Sequence, residues 1–106
     1  MLSSIDRIKR IKVDTAAGGT VALIAAVASK RILVLALDIT LVSGTLKFAD
    51  GVTDLTGAMT FTSKTLPLME VNGSAIPWYL TSAGAAFNAI FSGAVQCSGE
   101  ILYLQE

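Results

Sequence analysis

The stretch that most constrains this chain is Lys30 to Val42, KRILVLALDITLV, in which Asp38 and Thr40 are the only polar residues after the opening Lys30 and Arg31. The run has no clean polar face at helical or at strand period. β-Branched Ile32, Val34, Ile39, Thr40 and Val42 favour a strand, because a stiff χ1 fits a pleated surface better than a helical turn. As a strand it offers Leu33, Leu35, Leu37, Ile39 and Leu41 on one face. Ile32, Val34, Ala36, Asp38, Thr40 and Val42 lie on the other. One face is wholly apolar and the second is apolar for half its length. Such a strand belongs in the middle of a sheet covered on both sides, by a second sheet, by a partner subunit, or by both.

The remaining chain punctuates like an all-β domain. Ala17, Gly18 and Gly19 form a turn between the first segment, Ile5 to Asp14, and a strand over Thr20 to Val27; Ser29, Lys30 and Arg31 then lead into the central strand. Ser43 and Gly44 end it, and a brief strand over Thr45 to Ala49 follows. Asp50 and Gly51 make a turn, a second falls at Thr56 and Gly57, and strands follow over Met59 to Thr62 and Leu66 to Val71. Pro67 places the latter at a sheet edge. Asn72 and Gly73 are the strongest hairpin signal. The last strands are Phe87 to Ser92 and Val95 to Gln105, where Gly99 marks a bulge or a close backbone approach. Eight or nine short strands without a helix predict an all-β fold. It is an antiparallel β-sandwich, jelly-roll-like, with an extended N-terminal arm over residues 1–14 and the sandwich over 15–106.

Composition bounds the function. The chain of 106 residues makes one domain, and its 53% hydrophobic content against 15% charge gives more apolar surface than one small β-domain hides. Part of that surface is expected in a subunit interface. Eight basic and eight acidic residues balance, which gives no indication of nucleic acid or an acidic membrane surface. Arg7, Lys9, Arg10 and Lys12 nevertheless concentrate half of the positive charge near the N-terminus. They are read as a solvated, aggregation-resistant edge strand or as an arm that contacts an acidic neighbour.

Chemistry is not legible. With no histidine there is neither a Ser-His-acid arrangement nor a usual zinc spacing, and the single Cys97 is read as a small buried hydrophobe. Asp50 and Asp54 stand where a calcium ion would find hard ligands, but in this pattern they are first of all turn formers. Gly18 and Gly19 lack the spacing of a phosphate-binding loop. Asp38 within an apolar run has to be paired, protonated or emergent at the surface. Trp78 and Tyr79 cap an open end of the core, touch a subunit, or stack on a ligand such as a sugar. The expectation is a non-enzyme with no cofactor and no metal. The N-terminal charges precede no signal-peptide core and Val21 to Ala28 is too short to span a bilayer, so synthesis in the cytoplasm without export is expected.

Three stretches, TVALIAAVASKRILVLAL, LKFADGVTDLTGAMTF and WYLTSAGAAFNAIFSGAVQCSGEILYL, together resemble a class of small bacteriophage virion proteins. The likeness rests on Ile32 and Val34 after a polar turn, on Thr53, Leu55 and Gly57, and on Ser98, Gly99 and Tyr103 near the close. It covers about residues 20 to 104 and carries no catalytic motif. The resemblance implies a capsid decoration (cement) protein on the virion surface, a homotrimer whose partner is the major capsid protein. A tail or fibre module that meets a host glycan is the alternative, and a cellular lectin-like domain is a weaker third.

Overall fold

The computed structural model describes residues 7–68 and 79–106. Its strands in chain order are β1 (Lys9–Thr15), β2 (Gly19–Ile24), β3 (Ile32–Asp50), β4 (Thr53–Asp54), β5 (Met59–Leu68), β6 (Tyr79–Leu80), β7 (Phe87–Phe91) and β8 (Cys97–Gln105). Every pairing is antiparallel. The order β1-β8-β3-β7-β2 forms one hydrogen-bonded path, with β4, β5 and β6 along the other edge of β3.

β3 organises the whole. It runs for 19 residues where sequence reading divides it in two at Ser43 and Gly44. Its first half pairs with β8, from Ile32↔Gln105 to Leu41↔Cys97, and its last part pairs with β7, from Leu46↔Phe91 to Asp50↔Phe87. β5 follows β3 in one register from Leu37↔Leu68 to Leu46↔Met59, so the two expected strands over Met59 to Thr62 and 66–71 are one as far as Leu68. The network thus divides along β3 into two antiparallel sheets that share this strand.

Glycine does not end β3 because Gly44 turns its backbone without releasing it. Its φ is 89°, in the region that costs residues with a Cβ steric strain. Between the two ladders the Thr45 backbone is held by Ser92: Thr45 N–H donates to Ser92 Oγ at 2.8 Å, and Ser92 N–H donates to the Thr45 carbonyl at 3.0 Å. The start of β3 is closed the same way. Ile32 N–H donates to Thr81 Oγ1 at 2.9 Å and Thr81 N–H donates to the Ile32 carbonyl at 3.0 Å. At the buried Ile32 joint these bonds satisfy backbone groups that would otherwise be costly, while the Thr45 joint pairs its groups at the surface.

Irregularities also decide which side chains point inward. The expected alternation holds for Ile32 and Val34, and a bulge between Val34 and Ala36 then shifts the inward set to Leu37, Ile39 and Leu41. After Gly44 it shifts again, to Leu46 and Phe48. The inward set therefore draws on both faces named in the sequence. These residues meet Val13 of β1, Leu23 and Ile24 of β2, Phe87, Ala89 and Phe91 of β7, and Cys97, Ile101 and Tyr103 of β8 in one core. Because both sheets contribute, the arrangement is sandwich-like. Phe87, Ala89 and Phe91 face inward as alternation predicts, and Cys97 is wholly buried.

The N-terminal segment holds an edge strand, the first of the two readings of its charges. Residues 1–6 lie outside the described residues, but Lys9–Thr15 pairs with β8 along its whole length and buries Val13. Pro67 lies on β5, which among the described residues pairs with β3 alone, as expected of an edge position. The hairpin signal at Asn72 and Gly73 lies outside the described residues. At Gly99 the close approach is real: an added Cβ would stand 1.8 Å from the Asp38 carbonyl oxygen, and φ is 147°.

Gly99→Ala is expected to destabilise the fold by about 3 kcal/mol or more, since backbone rather than a flexible side chain must yield. Gly93→Ala, with nothing within 4 Å of the added carbon, serves as the neutral control in denaturant melts. Phe48→Ala, which empties a wholly buried site, is expected to cost about 3–5 kcal/mol in the same assay.

Candidate functional site

Among the described residues, the charged surface along β1 is the candidate that the sequence singled out and that stays exposed in the structure. β1 pairs on one side with β8 and, among the described residues, with nothing on the other. Its inward positions Ile11 and Val13 pack on the core, which sends Arg10, Lys12 and Asp14 to the opposite face. Lys9, Arg10 and Lys12 are all exposed. The four N-terminal cations do not form one cluster. Arg7 and Lys9 line a cavity of about 430 Å³ with Lys30, Gln105 and Glu106, where Arg7 is ion-paired to Glu106. Arg10 and Lys12 line a second, of about 390 Å³, with Asp38, Gly99 and Glu100.

In the second cavity the anomaly of Asp38 finds its place. Outward and half-exposed, it sits opposite Glu100 across the β3–β8 ladder, and Glu100 sits opposite Lys12 across the β8–β1 ladder. Two carboxylates directly opposite repel each other. Arg10 Nε, 3.3 Å from Glu100 Oε1, offsets part of that repulsion, and at this exposure the pair is worth at most about 1 kcal/mol. Of the readings of Asp38, emergence at the surface is the one observed.

The remaining candidates among the described residues are absorbed into structure. Tyr79 lies in β6, with its ring 5.3 Å from Phe48 and 5.7 Å from Phe87, while the two phenylalanines stack at 5.1 Å. It closes the end of the core, as one of the sequence readings has it, and burial pushes its phenol pKa up. Trp78 lies outside the described residues. Asp50 accepts hydrogen bonds from Ser82 N–H at 3.0 Å and Ser82 Oγ at 2.7 Å, tying the end of β3 to the loop after β6. Asp54 pairs with Lys47 at 3.0 Å. Among the described residues no three His, Cys, Asp or Glu side chains lie together as metal ligands. No helix among them is long and apolar enough to cross a membrane.

Sequence reasoning missed Thr81 and Ser92, which hold the two joints of β3 through side-chain hydroxyls. Only their positions, directly after Leu80 and Phe91 at strand ends, mark them in the sequence. Compared with known proteins, the chain matches no family model, and no curated protein matches it in sequence.

Burial also raises the Cys97 thiol pKa. A thiol or phenol whose pKa is higher folded than unfolded keeps its proton when the unfolded chain has lost it. Stability from Cys97 and Tyr79 is therefore complete below the unfolded values near 9.0 and 10.0 and declines as pH rises beyond them. Urea midpoints are expected to fall from pH 8 to pH 11, less steeply in Cys97→Ala. Cys97 is also expected to resist a thiol reagent at neutral pH until denaturant unfolds the chain, as absorbance of the released chromophore would record.

Proposed function

We propose that this protein is a non-catalytic structural component of a bacteriophage particle, a decoration or cement protein that trimerises and binds the outer surface of the major capsid protein lattice. The observation that carries this reading is the β1 edge. Arg10 and Lys12 are exposed on the outward face of a strand whose seven-residue ladder to β8 fixes them in place, with Lys9 exposed beside them on the other face, so cations are presented along this edge without an ordering cost. An edge of this kind suits an acidic, repeating surface better than a small molecule. Commitment of the Tyr79 ring to the core favours this reading over a glycan-binding module.

The sandwich is read as jelly-roll-like, and residues 1–14 as an extension whose last part is β1. Resistance of a shell to internal pressure needs a rigid clamp, which an all-β domain with one shared core supplies. Since Lys9–Thr15 is part of the sheet, deleting 1–14 would remove structure as well as contact, and point substitutions are the cleaner test.

Purified protein is expected to co-sediment with empty expanded shells of the virus that encodes it and to raise their melting temperature. Replacing Lys9, Arg10 and Lys12 together by Ala should lower occupancy by roughly tenfold or more while changing the fold's own stability by less than about 1 kcal/mol, and binding should weaken as salt rises. Failure of the native protein to bind such shells at low salt would overturn the reading.

A further inference from the structure

The two ends of the strand path are armed very differently. β1 carries Lys9, Arg10, Lys12 and Asp14, the charges by which an edge repels other edges. β2, GTVALI, carries none, and no charged residue occurs from Thr15 to Ser29. Nor does this edge have a proline or a covering element: among the described residues β2 pairs with β7 alone, and its outer backbone groups have no ladder partner. Around it, Thr20, Ala22, Ala25, Ala26 and Ala28 are exposed, and Val27 is one of three exposed large hydrophobics among the described residues, with Val52 and Leu80.

We infer that the free edge of β2 is a self-association surface, on which the same strand of a second copy adds antiparallel to Gly19–Ile24. Charge decides the occupant. Two β1 edges brought together would set Lys and Arg against Lys and Arg, whereas two β2 edges meet with no like-charge pair and with small side chains that let the backbones approach. Antiparallel pairing of identical strands is also self-complementary, so each copy offers what the other needs. A six-residue edge with its alanine flank buries well under the ~1,200 Å² of a stable interface, and the pairing is accordingly weak and concentration-dependent. It joins copies two by two whether the unit is a single subunit or a trimer, and it stands apart from the virion reading.

Sedimentation velocity on the full chain over roughly a hundredfold range of concentration tests this, because a weak association appears as a rising weight-average mass. The native protein should rise. Thr20→Lys with Ala22→Lys, at exposed positions that leave the core intact, should stay at the mass of its dilute form. Val52→Lys with Thr53→Lys, the same added charge at exposed positions where the turn meets β4, should behave like the native chain. A second readout uses Thr20→Cys and Ala22→Cys singly, with Cys97 out of reach in the core: mild oxidation should give a disulfide-linked dimer from at least one of them. A flat native mass, an unchanged rise in the double-lysine chain, or no linked dimer from either cysteine would overturn the inference.

Discussion

The structure depends on one strand finding backbone partners on both edges while changing sheets. β3 leaves the β8 ladder at Leu41 and enters the β7 ladder at Leu46. At such a junction N–H and C=O groups stand to lose their ladder partners, a loss on the order of 1–3 kcal/mol where the group is buried, as at Ile32, and smaller where it is exposed, as at Thr45. Gly44 supplies the left-handed backbone that turns the strand, and Ser92 takes up both backbone groups of Thr45. Thr81 does the same for Ile32 at the other end. The core follows from these joints, because the changes of inward face along β3 bring Val34, Leu41 and Phe48 to one interior.

Much of this was legible in the residues. β-Branched enrichment and close-spaced turns marked an all-β chain, strict alternation marked Phe87, Ala89 and Phe91, and Gly99 was marked as a close approach. What escaped was continuity. Gly44 reads locally as a stop, and its role as a bend becomes visible only when Ser92 is placed beside it. The Val34–Ala36 bulge is equally hidden, since an unbroken apolar run looks the same in either register.

On the charged surface, the sequence took Arg7, Lys9, Arg10 and Lys12 together, whereas the structure divides them. Arg7 and Lys9 fall at the open end with Lys30 and Glu106, while Arg10 and Lys12 turn outward over Glu100. The partition is a consequence of strand period, with Ile11 and Val13 held by the core. Surplus apolar content carries the expectation that part of the apolar surface lies in a subunit interface. Leu35, Ala36 and Leu104 are buried outside the main core cluster.

A strand common to both sheets has a mechanical meaning. Two layers held only by side chains can slide or part under load, breaking weak contacts one after another. Here a tension applied to one layer passes into the other along the covalent backbone of β3, and the layers yield together. A domain wired in this way resists being peeled open from either side.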